Sequence, residues 1–172
     1  MRTTRRDFIT QSSLAAAGTI IAGCATAKPV RTLSPNEKLN LGVIGVAGRG
    51  GENLDGVKTE NIVALCDVDR TRLEAAGSKF PGAKRYTDFR KMLEQGDLDG
   101  VVVSTPDHSH AVIAIAALQS GRHVYCEKPI ATNLAEAIEV CKLAQASGLK
   151  HGAVQDKLFL PGLRKLDLLR RA

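Results

Sequence analysis

The sequence predicts an α/β fold: a doubly wound parallel sheet with helices on both faces. Three observations predict it. From Lys38 onward, short apolar runs alternate with segments of helical spacing. The runs are continuous in Val, Ile and Leu, as in strands buried on both sides, and do not alternate as in strands with one wet face. The first run ends in a cluster of glycines, the signature of a tight strand-to-helix turn.

The elements follow in order. "LNLGVIGV" (39–46) is the first strand and "NIVALCDVD" (61–69) the second, separated by a short helical stretch. "AKRY" (83–86) is a short third strand, "DGVVVSTP" (99–106) a fourth, "RHVYC" (122–126) a fifth and "LKHGAV" (149–154) a sixth. "HAVIAIAALQSG" (110–121) is a helix stopped by Gly121. "TNLAEAIEVCKLAQASG" (132–148) is a second long helix, with Thr132 as the expected N-cap, Glu136 in its early turns and Gly148 as its stop. The expected strand order is 3-2-1-4-5-6.

Length and composition bound the function. A chain of 172 residues holds one ordinary domain. Aromatic residues make up 3% and Trp is absent, so aliphatic side chains must build the core. The formal charge of +6 is concentrated partly in Arg2, Arg5 and Arg6, and the remainder forms no continuous basic stripe, which argues against nucleic acid as a partner. Cys66, Cys126 and Cys141 lack metal-ligand spacing and are expected as small buried hydrophobes; no metal site is expected.

The N-terminus reads as an address. "TTRRDFIT" (3–10) matches the twin-arginine export pattern. The apolar run from Leu14 to Gly23 is too short to span a bilayer core of roughly 30 Å. It ends in Ile21-Ala22-Gly23-Cys24, which resembles a bacterial lipobox in which the cysteine becomes the acylated first residue. The expected organisation is therefore a signal with lipobox over 1–24, a Pro-containing linker over 25–37 and a dinucleotide-binding domain over 38–155. An exported, periplasmic or cell-envelope protein follows, anchored by lipid on Cys24 after passage through the twin-arginine machinery.

The glycine turn carries the first functional signal. It reads Gly45-x-Ala47-x-x-Gly50, with Gly48 and Arg49 between. In this fingerprint the first glycine permits the turn, the second position lets backbone approach a pyrophosphate and the third lets helix pack on strand; Ala replaces the middle glycine here. N–H groups at the following helix start hold the phosphates. Asp67 closes the second strand at the distance where an acid binds the ribose hydroxyls of NAD. An acid there repels a 2′-phosphate, so NAD is expected; Arg70 and Arg72 keep NADP open.

"CDVD" (66–69), "STPDHSHA" (104–111), "CEKP" (126–129) and "QDKLFLPGLRKL" (155–166), together with the glycine turn, give a family likeness. From about Leu39 to the end the chain resembles the N-terminal half of the Gfo/Idh/MocA oxidoreductases, the glucose–fructose oxidoreductase and inositol dehydrogenase family. The resemblance implies a Rossmann-type sheet whose fifth strand ends in Glu127-Lys128-Pro129 beside the nicotinamide. Lys128 is then the catalytic residue, facing the substrate hydroxyl, while Glu127 orients the lysine or the nicotinamide ribose. Thr105 and Pro106 would lie along the cofactor, and His110 matches the family histidine. Asp107 stands where the family more often has Asn. His108 is either a cofactor contact or a polar helix cap.

Family members continue into a second α/β domain that shapes a sugar pocket, and residues 156–172 resemble its first helix, cut short. The resemblance thus implies a half-enzyme, inactive alone, whose full-length form transfers hydride between NAD and a sugar, cyclitol or related polyol and forms a homo-oligomer. Two alternatives stand beside it. One is a glycoside hydrolase of the same family that works by transient oxidation with bound NAD; the other is a dinucleotide-binding module without turnover.

Overall fold

The computed structural model describes residues 34, 36–155 and 160–171. The export signal, the lipobox and most of the linker expected from sequence lie outside these. Six strands form one parallel sheet: β1 Asn40–Ile44, β2 Asn61–Cys66, β3 Lys84–Tyr86, β4 Gly100–Val103, β5 His123–Cys126 and β6 His151–Ala153, in the order β3-β2-β1-β4-β5-β6. The helices are α1 Arg49–Gly56, α2 Arg70–Lys79, α3 Phe89–Leu93, α4 His110–Gln119, α5 Leu134–Ser147 and α6 Pro161–Arg171, with a 3₁₀ turn at Asp107–Ser109. This is the doubly wound fold and strand order expected from the apolar runs.

Two apolar clusters, one on each face, explain why the strands are not alternating. Val43, Leu65 and Val102 pack with Leu54 of α1 and Leu73 of α2. Their immediate neighbours Ile44, Cys66 and Val103 pack on the other face with Met92, Ile113 and Val140. Fully burying each such aliphatic side chain contributes about 1.5–3 kcal/mol, so both faces of every central strand must be apolar.

Local signals set the helix ends. Asp69 caps α2 by accepting from the Thr71 and Arg72 N–H groups. The cap of α5 is Asn133, not the expected Thr132: Asn133 Oδ1 accepts the Glu136 N–H at 2.9 Å. Asn ranks above Thr as a cap, and Asn133 stands immediately before the first helical residue, three before the N–H it accepts. Gly148 closes α5 with φ +68°. Cys66 and Cys126 are buried as expected, but Cys141 lies on the exposed side of α5.

On the α1 side of the sheet, β4–β6 carry an open trough of about 540 Å³, floored by Val102 and Tyr125 among others. It lies on the face of the sheet, away from the strand ends described next. The leucines of α6 are exposed. No helix among the described residues is long and apolar enough to cross a membrane.

Candidate functional site

Parallel pairing brings the chemistry-bearing residues to one edge. Ile44 pairs with both Cys66 and Val103, and Val103 pairs with Cys126, so β1, β2, β4 and β5 end level. The first residue beyond each strand still holds the ladder. Gly45 N–H donates to Cys66 O at 2.8 Å, Ser104 N–H to Ile44 O at 2.8 Å, and Glu127 N–H to Val103 O at 2.9 Å. Gly45, Asp67, Ser104 and Glu127 therefore begin four adjacent loops along the carboxyl edge, where sheets of this kind bind ligands.

The glycine turn is built by contact as much as by freedom. Gly45 has φ +83°, and a Cβ there would stand 2.6 Å from the Ser104 carbonyl oxygen. A Cβ on Gly50 would collide with the Gly45 carbonyl and lie 3.2 Å from Ser104 Cβ, so Gly50 is the position where α1 packs against the strands. The second left-handed residue is Gly48, φ +54°, immediately after Ala47; a Cβ there would meet nothing within 4 Å. Ala47 thus replaces a glycine where none is required by φ, because Gly48 supplies the second freedom. No side chain caps the start of α1. The Gly50 and Gly51 N–H groups close the turn instead, donating to the Ala47 and Gly48 carbonyls at 3.0 Å each.

Asp67 is half-buried and anchored from two sides. Its Oδ2 accepts the Val46 N–H at 3.0 Å and its Oδ1 accepts the Asp69 N–H at 3.0 Å. The carboxylate is thereby fixed beside the glycine turn, with lone pairs left for further donors. Arg72 pairs with Asp69 at 3.2 Å, an exposed pair. The open turn, the helix start without a side-chain cap and the fixed acid fit a dinucleotide, which would set its pyrophosphate by the turn at Gly48 and a ribose diol by Asp67.

The β4 loop holds Thr105, Pro106, His108 and His110. Ser109 Oγ donates to Thr105 Oγ1 or to the Pro106 carbonyl, each at 2.8 Å. His108 is exposed within the 3₁₀ turn, and α4 starts without a side-chain cap, so His108 does not serve as one. His110 is 1% exposed. Its Nδ1 lies 2.6 Å from the Pro129 carbonyl oxygen and its Nε2 lies 2.7 Å from that of Thr105. The resemblance counts His110 among the cofactor-binding residues; in the structure its ring ties the β4 loop to the β5 loop.

After β5, two adjacent charges part. The Glu127 side chain turns inward. Arg49 Nε and Asn53 Nδ2 donate to its Oε1 at 2.8 and 2.9 Å, and Asn53 Nδ2 also reaches Ser104 Oγ at 2.9 Å. Burial pushes the Glu127 carboxyl up, but the bonds from Asn53 and Arg49 and the Arg49 charge outweigh it and hold the group below the usual carboxylate range. Lys128 is exposed at the strand end. The peptide that follows it, Lys128–Pro129, is cis. Asn53 and Ser104 were not singled out from the sequence. The signal for Asn53 was its spacing: four residues after Arg49, it shares a helix face with it. Among the described residues no cluster of three or more His, Cys, Asp or Glu side chains is placed to hold a metal ion.

Fold and site together define an NAD-binding Rossmann domain. The chain belongs to the Gfo/Idh/MocA oxidoreductase family, whose model, described as an oxidoreductase family with an NAD-binding Rossmann fold, matches residues 39–153. A glycosyl hydrolase family 109 protein of Solibacter usitatus is 34% identical over 163 residues, covering 85% of this chain and 37% of the relative. An inositol 2-dehydrogenase of Salmonella typhimurium is 31% identical over 115 residues, covering 64% of this chain and 34% of the relative. Among solved structures, the WlbA dehydrogenase of Bordetella pertussis, in complex with NADH and UDP-GlcNAcA, superposes with TM-score 0.67 at 28% identity, covering 78% of this chain and 42% of that one. The chain thus spans about a third to two-fifths of the length of these relatives.

Proposed function

We propose that this chain is the cofactor-binding part of an oxidoreductase that moves hydride between NAD and a hydroxyl-bearing carbon of a sugar, cyclitol or related polyol, with Lys128 as the general acid–base. One observation carries the reading. Lys128 stands exposed at the carboxyl end of a central strand, in the same row of loops as the glycine turn and Asp67, while its neighbour Glu127 is withdrawn. NAD held there would supply the hydride acceptor or donor. The protein's own part is to seat the pyrophosphate on the start of α1, hold a ribose on Asp67 and present an ammonium or amine to the substrate oxygen. A cation there stabilises developing alkoxide, and the amine takes the hydroxyl proton as the carbonyl forms. Thr105 and Pro106 border the same crevice from β4, and His108 projects from the turn that follows.

The sugar or polyol class is supported by the inositol dehydrogenase relative and by the sugar-nucleotide complex of WlbA. The test uses the whole protein with a panel of cyclitols and sugars. Lys128→Met should keep NADH binding and slow the chemical step by about 10²–10⁴, the usual range for a general acid or base. Full turnover in that variant would remove Lys128 from the chemistry.

A second reading is favoured by one observation. The glycosyl hydrolase relative matches 85% of this chain, a longer stretch than the 64% matched by the inositol dehydrogenase. In that reading NAD held by the same residues would supply transient redox chemistry at the sugar, and the glycosidic bond would be cleaved without net redox change. Release of an aglycone with no change in NADH absorbance would select it.

Export belongs to the same proposal. Arg5 and Arg6, the apolar run to Gly23 and Cys24 support passage by the twin-arginine route, as a folded protein with its cofactor, to a lipid anchor in the cell envelope. Replacing Arg5 and Arg6 by Lys should strand the protein in the cytoplasm. Cys24→Ser should abolish incorporation of labelled palmitate.

A further inference from the structure

Glu127 and Lys128 are adjacent and opposite in charge, yet the carboxylate is engaged elsewhere. Arg49 reaches it from the first position of α1, with Nε 2.8 Å from Oε1. The same guanidinium bonds Glu52 through Nη1 at 2.7 Å. The Glu127 side chain is 7% exposed and that of Arg49 is 54% exposed, so a surface cation reaches in to neutralise a buried anion. Asn53 adds a hydrogen bond but no charge.

Removing one partner of a buried ion pair leaves the other uncompensated. Without Arg49, Glu127 would have to take a proton or turn outward to another cation. The next residue in the chain is Lys128, whose side chain has no hydrogen-bond or ion-pair partner among the described residues. An exposed Glu127–Lys128 pair would occupy the amine.

We propose that Arg49 is a positioning residue that keeps Lys128 unpaired by holding Glu127 inside the protein. This rests on the reading of Lys128 given above and assigns to the glycine turn a task besides phosphate binding. The first residue of α1 governs the electrostatic partner of the lysine at the end of β5. Arg49 acts through Glu127 and needs no contact with substrate.

The test is the rate at which Lys128 is acetylated by an N-hydroxysuccinimide ester, followed in the full chain by peptide mass spectrometry. Lys142, exposed on α5, is the internal reference. Arg49→Met should slow Lys128 by about threefold relative to Lys142, the size expected of an exposed ion pair. The double variant Arg49→Met with Glu127→Gln should return to the starting rate, because no carboxylate is left to pair. An unchanged rate in Arg49→Met, or a double variant that stays slow, overturns the proposal. If melting shows that Arg49→Met does not fold, Asn53→Leu loosens the same carboxylate and must also slow Lys128; an unchanged rate there overturns it equally. NADH binding by the unaltered chain is measured separately. Its absence would sink the functional reading, while the acetylation rates still decide the role of Arg49.

Discussion

The Asp67 carboxylate accepts the Val46 N–H at 3.0 Å, so the acid after β2 is bolted to the turn after β1. Both the acid and the turn gain from this. The turn is held open next to Gly48, and the carboxylate keeps one orientation as a ligand approaches. Asp67→Ala should therefore weaken NADH binding by about tenfold or more, the loss expected when hydrogen bonds to a charged group are removed. Asp67→Asn should retain the Val46 bond through its carbonyl oxygen and narrow the gap between NADH and NADPH affinities. Fluorescence titration of the three proteins decides this, and equal NADH affinity in all would remove Asp67 from the site.

Gly50→Ala should be among the most damaging single-methyl additions in the domain. The new Cβ would run into the Gly45 carbonyl, which is backbone, in a residue whose own N–H is held by the Cys66 carbonyl. Overpacking of this kind costs about 1–3 kcal/mol or more. Gly48→Ala meets no neighbour but carries φ +54°, so its cost should come from backbone strain alone. Urea melts of the two variants should rank Gly50→Ala as the less stable.

Much of this was legible in the sequence, for physical reasons that differ by element. Short β-branched runs bounded by turn residues, such as Val101–Val103, read as strands buried on both faces and indicated the sheet, whose order followed from the doubly wound class. Asp67 and the glycine turn were legible because backbone geometry dictates them. What stayed hidden was side-chain direction. A sequence cannot show that Glu127 points in and Lys128 out, because that choice depends on Arg49 and Asn53, which are distant along the chain. His110 was similarly opaque: its two partners are backbone carbonyls, which leave no mark in residue types. The exposure of Cys141 was missed because a cysteine on a helix looks the same from either face.

The cysteines separate by environment. Burial pushes the thiols of Cys66 and Cys126 up to about 12, helped by Asp67 and Asp88 for the first and by Glu127 for the second. The thiolate is the reactive form, so both should be inert near neutral pH. In a Cys24→Ser background, a thiol reagent should modify Cys141 quickly and the other two only on unfolding. Rapid loss of all three thiols from the folded protein would contradict their burial.

Acid stability should report Glu127. Its folded carboxyl lies below the unfolded value of 4.5, so the folded state favours the ionised form. The stability this adds is fully present above the unfolded value and is lost as pH falls through the lower, folded one. Glu127→Gln should therefore be less stable than the parent near neutral pH and lose less stability on acidification below about 4.5, flattening the acid limb. Denaturant melts at a series of pH values measure this, and parallel acid limbs would show that Glu127 is not the group responsible.

His110 offers the sharpest test of how the two loops are held. Its ring touches the carbonyls of Thr105 and Pro129 while almost wholly buried, so it joins the segment after β4 to the segment that carries Lys128. His110→Phe fills the space but donates no hydrogen bond, leaving the carbonyl that the ring N–H serves short of a partner. An unsatisfied buried group costs about 1–3 kcal/mol, and the domain should lose about that much. His110→Gln keeps one donor at similar reach and should recover part of that loss. The loops should also loosen locally. Amide exchange at Glu127 and Lys128 should rise more in the Phe variant than at Leu65, deep in the other face of the sheet. Equal stability of the Phe and Gln variants would show that packing and not hydrogen bonding sets the role of this ring, and unchanged exchange at the β5 loop would show that His110 does not hold it.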